Sequence, residues 1–344
     1  NFGASTFSSR GSGAHTSNHP VFGKGEAIKL VSKLIAESMD YAPTLVVWLL
    51  DQSDSARANI MDLGQQLSSP YAALTNGQPE DSDRLLTAVV SYGEKVEFTV
   101  DPPTADAARV TAAMSGLKED KSGKEMTFSA VKAALDKYLP YRTKQRREVI
   151  FIIVTDEAGD DDEMVDAVII LLQRHAIPIY VLGVAAPFGR SAGMAQSVEA
   201  AIDDRSSGTR RPIRQGPESR QAERIHLGFW GGATDLELLD SGFGPFALQR
   251  LATTSGGRFL PIRSAGAYGL QWPSPGVPRF DPQKMRRYAP DNTTREEYQK
   301  ILDGNAACRA LTDAARLSEV KLTVFLEQEF VKRSEAQLTT LLAK

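Results

Sequence analysis

Three uninterrupted apolar runs constrain this chain more than any other feature. Residues 44–50 (TLVVWLL), 148–155 (EVIFIIVT) and 177–185 (IPIYVLGVA) are strand-sized and show no alternation of polar with apolar positions. A strand covered on one face alternates, whereas a continuous run requires burial on both faces, as in a parallel sheet sandwiched between helices. The intervening segments have helical spacing. From Lys24 onward Ile28, Val31, Ile35 and Met39 form one stripe, and residues 56–68, 104–116, 128–139 and 162–175 are further helix candidates. Residues 85–92 and 96–100 read as strands, the second ended by Asp101-Pro102-Pro103. PFALQRLATTSGG reads as a helix stopped at Gly256-Gly257, followed by the short strand RFLPI. Strands alternating with helices predict an α/β fold, doubly wound and Rossmann-like, with a mostly parallel central sheet and right-handed crossovers.

Two stretches break the alternation. Residues 186–244, rich in Gly, Pro and Arg, join a strand to its next helix over a length uncommon in a compact domain, which predicts a surface insertion. Residues 263–344 begin Pro- and Gly-rich and then turn polar and helical, predicting a C-terminal helical extension. Residues 1–22 are rich in Gly, Ser and Thr and read as a flexible arm, with His15 and His19 as linker histidines. The expected organisation is therefore an arm at 1–22, a core domain at 23–262 interrupted at about 186–244, and the extension at 263–344.

Composition excludes several function classes. With 42% hydrophobic and 24% charged residues, the 344-residue chain is neither wholly disordered nor fibrous. Forty basic residues against 43 acidic ones give a net charge of −3, so no overall basic footprint for nucleic acid exists. A lone cysteine, Cys308, excludes an intrachain disulfide framework and a Cys-rich zinc site. No apolar run reaches the roughly 18–20 residues a membrane-spanning helix needs. The chain opens on Asn1 rather than Met, which suggests that an upstream segment has been removed.

The chemistry concentrates at strand ends. Directly after TLVVWLL comes DQSDS, with Asp51, Ser53 and Ser55 at alternate positions; Asp156 follows EVIFIIVT; Thr127 stands before a later helix. Ligand sites in open α/β sheets lie at the carboxyl ends of strands. If the two strands are neighbours, two carboxylates and three hydroxyls converge. Such oxygen donors suit a hard cation, Mg²⁺ or alternatively Mn²⁺ or Ca²⁺. A plainer reading has Ser53 and Ser55 capping the helix that follows, but it leaves Thr127 and Asp156 unexplained.

In this order, D-x-S-x-S, a helix-initiating Thr and a strand-ending Thr-Asp resemble a von Willebrand factor type A domain with its metal-ion-dependent adhesion site. The resemblance spans roughly residues 25–262. It implies that Asp51, Ser53, Ser55, Thr127 and Asp156 hold the metal, the serines directly and the others directly or through water. VTDEAGDDDEMV, PFG, QGPES and DSGFGPFALQRLATTSGG further resemble bacterial, often planctomycete, exported proteins with this domain. Two departures stand out: Glu157 follows Asp156 where the family often has Gly, and Asp54 lies inside the first motif. Both add negative charge, favouring a cation and weakening attraction for a carboxylate ligand.

The resemblance implies a non-enzymatic, metal-dependent binding or scaffolding module in which an Asp or Glu of a protein partner completes the metal shell. It also implies an extracytoplasmic location, periplasmic or secreted. One alternative is a self-assembling structural protein with a stabilising ion. Another is a metal-dependent phosphohydrolase. Against the latter, Ser53 stands where dehalogenase-like phosphatases have their second Asp, and no Walker loop, H-E-x-x-H or G-x-S-x-G is present. No catalytic residue is assigned.

Remaining features have bland readings beside sharper ones. Asp160, Asp161, Asp162 and Glu163 read as helix-N-terminal acids rather than a second cation site. Arg205, Arg210, Arg211, Arg214, Arg220 and Arg224, offset by nearby acids, read as a solvated loop rather than an anion patch. His226 near Trp230 reads as structural. His175 reads as a helix C-terminal residue and Cys308 as packed rather than reactive.

Overall fold

The computed structural model describes residues 22–75, 83–184, 186, 193–196, 210–213, 220, 243–263 and 290–314. In chain order the elements are β1 (Phe22–Gly23), α1 (Lys24–Tyr41), β2 (Thr44–Asp51), α2 (Asp54–Thr75), β3 (Leu85–Tyr92), β4 (Val96–Thr104), α3 (Ala107–Ser115), α4 (Thr127–Thr143) and β5 (Glu148–Val154). A single 3-10 turn (Asp162–Met164) leads into α5 (Val165–His175) and β6 (Ile179–Gly183). Then come β7 (Gly193–Gln196), β8 (Arg210–Ile213), α6 (Phe246–Thr254), β9 (Arg258–Arg263) and α7 (Arg295–Gly304).

Seven strands form one sheet in the order β1-β9-β6-β5-β2-β3-β4. All neighbours are parallel except β3 and β4. The expected doubly wound α/β architecture is present. Strand β2 is buried at every position from Thr44 to Asp51, and its side chains divide by parity between two cores. Leu45, Val47 and Leu49 pack with residues of α4, α5 and α6, whereas Val46, Trp48 and Leu50 pack with residues of α1, α2 and α3. This two-sided burial is why the run lacks alternation. In α1 the stripe Ile28, Val31, Ile35 and Met39 is buried as its spacing predicts.

The winding direction positions the site. From β2 the chain proceeds outward through β3 to β4, then returns to the other side of β2 and proceeds through β5, β6 and β9. The loops leaving β2 and β5 therefore diverge, opening a crevice at their carboxyl ends, the usual ligand position in such sheets.

Among the boundaries that differ from expectation, three stand out. Strand β4 continues through Pro102 and Pro103 to Thr104. It lies at the sheet edge, where a residue without an N–H costs no ladder bond. Helix α2 runs beyond residue 68, through Pro70, to Thr75. Its last turns are anchored by Tyr71, whose buried hydroxyl accepts from Trp48 Nε1 at 3.0 Å and from Thr87 Oγ1 at 3.3 Å. The third is residues 162–175, which begin as the 3-10 turn before becoming α-helical.

Within residues 186–244, β7 and β8 pair as an antiparallel ribbon, and the ends of the segment meet where Ala186 N donates to Phe243 O at 2.8 Å. The C-terminal region contributes α7 and a helical stretch at 306–314. Helix α7 opens with a capping box between Thr294 and Glu297 and buries Tyr298 and Leu302. His175 closes the last turn of α5, as expected. Cys308 is half-buried. Arg220 departs from the solvated-loop reading: it pairs with Asp166 of α5. His15, His19, His226 and Trp230 lie outside the described residues, as do Arg205, Arg214 and Arg224; the side chains of Arg210 and Arg211 are likewise not described.

Candidate metal centre

Asp51 ends β2 fully buried, and α2 starts three residues later. The turn between them is closed by the Asp51 carboxylate, whose Oδ1 accepts from Ser53 N at 2.8 Å. Ser53 Oγ accepts from Ala56 N at 3.3 Å, so the serine does cap α2; the same oxygen lies 3.3 Å from Ser55 Oγ. Capping and convergence on the site are therefore compatible roles of one side chain. Ser55 Oγ donates to Asp156 Oδ1 at 3.1 Å, joining the loops after β2 and β5 across 101 positions of sequence.

Thr127 reaches the same place from a third direction. Its segment is fixed by backbone bonds: Asp120 N donates to Gln52 O at 2.9 Å, and Met126 N to Gly93 O at 3.1 Å. Thr127 then opens α4, fully buried. The loop after β5 lies directly on it, since Gly159 holds φ at +86° and a Cβ there would stand 3.1 Å from Thr127 Oγ1. Only glycine adopts that conformation freely. Thr127 Oγ1 is buried and makes no hydrogen bond of sound geometry among the described residues.

The acidic run has a definite use. Asp161 Oδ1 accepts from Phe128 N at 3.0 Å and its Oδ2 from Ser129 N at 2.6 Å, while Asp160 Oδ2 accepts from Glu125 N at 3.0 Å. These acids do occupy a helix N-terminus, as expected of them, but Asp161 serves α4 and Asp160 the segment leading into it, rather than their own helix. Orphan N–H groups at the start of α4 are satisfied from another loop.

Three participants escape sequence reasoning. Thr155 Oγ1 donates to Asp51 Oδ2 at 2.6 Å and accepts from Glu157 N at 3.1 Å. Glu125 is buried beside Glu157. Tyr92 stands level with Asp51 on the adjacent strand, and its hydroxyl, also without a hydrogen bond of sound geometry, neighbours those of Thr127 and Thr155. Thr155 sat in view beside Asp156. Tyr92 and Glu125 carried no signal, because only strand order and the folding of the 116–126 loop bring them in.

The electrostatics are those of a place short of positive charge. Burial pushes the Asp51 carboxyl up to about 7, aided by the charges of Asp156 and Glu157 and opposed by the Thr155 hydroxyl and Ser53 N–H. Burial likewise pushes Glu125 up to about 9, followed by its hydrogen bond to Glu157 and that residue's charge. The Tyr92 hydroxyl is driven well above its ordinary range by burial and then by Asp51. Asp51 makes no ion pair among the described residues. A divalent cation would remove the cost of charging Asp51.

Among the described residues, no three His, Cys, Asp or Glu side chains group closely enough to hold a metal alone. Any ion here must rest largely on hydroxyls, and Ser53, Ser55 and the unsatisfied Thr127 supply them. Such a donor set fits a hard cation. The structure brings the five residues singled out from the sequence to one end of the sheet, at the divergence of β2 and β5.

Residues 46–209 match the family model of the von Willebrand factor type A domain. Among solved structures, the chain is similar to BatB, a conserved hypothetical protein of Bacteroides thetaiotaomicron, at 16% identity over 64% of this chain and 92% of that one, with a TM-score of 0.40. It is also similar to mussel byssus proximal thread matrix protein 1, described with a zinc-occupied MIDAS motif, at 16% identity over 42% of this chain and 36% of that one, with a TM-score of 0.34. A third likeness is to the type V pili tip protein Mfa5 of Porphyromonas gingivalis, at 20% identity, covering 34% of this chain and 20% of that one, with a TM-score of 0.28. No curated protein matches the chain at the same stringency. The chain contains a von Willebrand factor type A domain, matched over residues 46–209.

Proposed function

We propose that this protein is a metal-dependent binding module. Asp51, Ser53, Ser55, Thr127 and Asp156 would hold one divalent cation, Mg²⁺ in the first instance, with Mn²⁺ and Ca²⁺ as alternatives. Domains of this family commonly mediate protein–protein interaction and metal-dependent binding. The observation that carries the reading is the buried Thr127 oxygen, which makes no hydrogen bond of sound geometry among the described residues while Ser53, Ser55 and Thr155 are each paired around Asp51. When bound, the ion supplies a Lewis-acidic position that a carboxylate from another protein can close. The protein's own contribution is to orient the donors: Thr155 and Ser53 hold Asp51, Ser55 holds Asp156, and Asp161 holds the start of α4.

Calorimetric titration of chelator-treated protein with Mg²⁺, Mn²⁺ and Ca²⁺, beside Asp51→Ala, tests the site. One saturable event lost in the variant is expected, and absence of binding in the parent would sink the reading. Capture of an acidic protein partner should be lost in Asp156→Ala. Were the ion only a staple for self-assembly, chelation would lower the melting temperature while capture survived that substitution. Asp51-dependent turnover of an aryl phosphate with Mg²⁺ would replace the binding reading by hydrolysis.

No helix among the described residues is long and apolar enough to cross a membrane. The Ser- and Gly-rich residues 1–22 and the likeness to exported proteins support an extracytoplasmic location, which cell fractionation checks directly.

A further inference from the structure

We infer that Tyr92 is a positioning residue of the metal centre, linking the Thr127 hydroxyl to the Thr155–Asp51 pair through its own. The inference rests on the metal-site reading above and adds to it a residue that no part of the D-x-S-x-S, Thr or Thr-Asp pattern contains.

Tyr92 ends β3 in register with Asp51, the last residue of β2, so the two side chains leave the sheet on the same face. The ring is buried in the core beneath α4, with Leu49 and Phe128 in the same cluster. Its backbone is held at the site as well, because Tyr92 O accepts from Gln52 N at 2.8 Å within the DQSDS turn. The ring thus cannot withdraw, and its hydroxyl is committed to the space between Asp51, Thr127 and Thr155. Tyr92 Oη and Thr127 Oγ1 are both buried and neighbours, yet neither makes a hydrogen bond of sound geometry among the described residues. Two adjacent orphan hydroxyls are uncommon in a folded interior.

A cation resolves both. A threonine oxygen that faces a metal must turn its proton away from it, toward an acceptor, and Tyr92 Oη is the acceptor at hand. The Tyr92 proton in turn has Thr155 Oγ1 before it. That oxygen already donates to Asp51 Oδ2 at 2.6 Å and receives Glu157 N at 3.1 Å. A single chain of donors then runs from Thr127 through Tyr92 and Thr155 to the Asp51 carboxylate. It fixes the rotamers of two metal-holding residues that lie on different elements. Groups of this outer kind are as characteristic of metal sites as the ligands themselves.

Tyr92→Phe retains the ring and removes only the hydroxyl. The expected result is about a 10- to 100-fold loss of Mg²⁺ or Mn²⁺ affinity by calorimetry. The metal-free melting temperature should be unchanged or higher, because an unsatisfied buried hydroxyl has been deleted. Cation binding to the parent protein should also produce a tyrosine difference spectrum that Tyr92→Phe lacks, a signature that a purely structural ring would not give. Equal affinity in parent and variant overturns the inference. So does an affinity loss accompanied by a fall in metal-free melting temperature, which marks a packing role. If the variant fails to fold, the parent spectrum decides, and no tyrosine perturbation on binding overturns the inference. A parent that binds no cation fails at the site itself, Tyr92 with it. A parent that binds while Tyr92→Phe binds equally well fails only here.

Discussion

Two carboxylates, Asp51 and Asp166, sit in opposite electrostatic settings within one domain. Asp166, on α5, gathers two cations and a backbone N–H: Arg220 Nη2 donates to its Oδ2 at 2.5 Å, Arg250 Nε to its Oδ1 at 2.8 Å, and the backbone N of Arg295 to its Oδ2 at 3.0 Å. Arg250 also donates to Asn292 O, and Arg220 stacks on the Phe246 ring at 5.3 Å. One side chain thereby ties α5, α6, residue 220 of the insertion and the start of α7 together. Asp51 instead is buried among acids and hydroxyls, with no ion pair among the described residues. A carboxylate whose countercharge comes from its own chain closes the structure. A carboxylate raised to about 7 by burial and like charges is one that an external cation can satisfy.

The largest effect that tests this contrast is pH dependence in metal-free protein. Asp51 shifts from 3.8 when unperturbed to about 7 when folded. Across that window the folded state binds the extra proton, so the stability present below pH 3.8 is lost as pH rises through about 7. The maximum loss from this group is about 4 kcal/mol. Glu125, pushed up to about 9, continues the same slope upward. Urea unfolding at pH 5 and pH 8 should show the decline, and saturating Mg²⁺ should flatten it. A metal-free protein equally stable at both values would break the contrast at the Asp51 end.

Asp166→Ala attacks the other end. The Arg250 and Arg220 side chains are only 6% and 9% exposed and would lose the carboxylate with which both pair. Removing one partner of such a pair costs about 3–5 kcal/mol, and the partial exposure of Asp166 places the expectation near the lower figure. The urea midpoint should fall while cation affinity stays at the parent value. Loss of cation affinity would mean that the two regions are coupled rather than separate.

Asp161→Ala is the smallest change and sharpens the picture. It removes the acceptor of Phe128 N and Ser129 N, with an expected cost of about 1–2 kcal/mol by thermal unfolding. Because Thr127 opens the same helix, cation affinity should fall too. Unchanged affinity would show that Thr127 holds its place without Asp161.

Much of the fold was legible because burial on both faces leaves a plain mark. The runs at 44–50, 148–155 and 177–185 became β2, β5 and β6, and the α1 stripe became its buried face. Prolines misled where context overrode them: Pro102 and Pro103 are tolerated at a sheet edge, and Pro70 in a helix anchored by Tyr71. At the site, the strand-end acids and hydroxyls could be named because each lies beside a readable boundary. Asp160 and Asp161 could be noticed but not given their acceptor roles, since the N–H groups they receive belong to α4 and to the residues leading into it. Tyr92 resembled any aromatic at the end of a strand, and Arg220 resembled any arginine in a charged loop.

By itself the sequence determined the inventory and the local geometry. Residue periodicity reflects the period of the backbone, so strands, helices and the oxygen donors at their ends follow from neighbours in the chain. Only the tertiary structure decided which donors meet. The strand order places β2 between β3 and β5, which sets Tyr92 beside Asp51 and brings Asp156 to Ser55 across 101 positions. That order arises from packing two helical layers against a twisted sheet, an energy summed over the whole domain and written in no single segment.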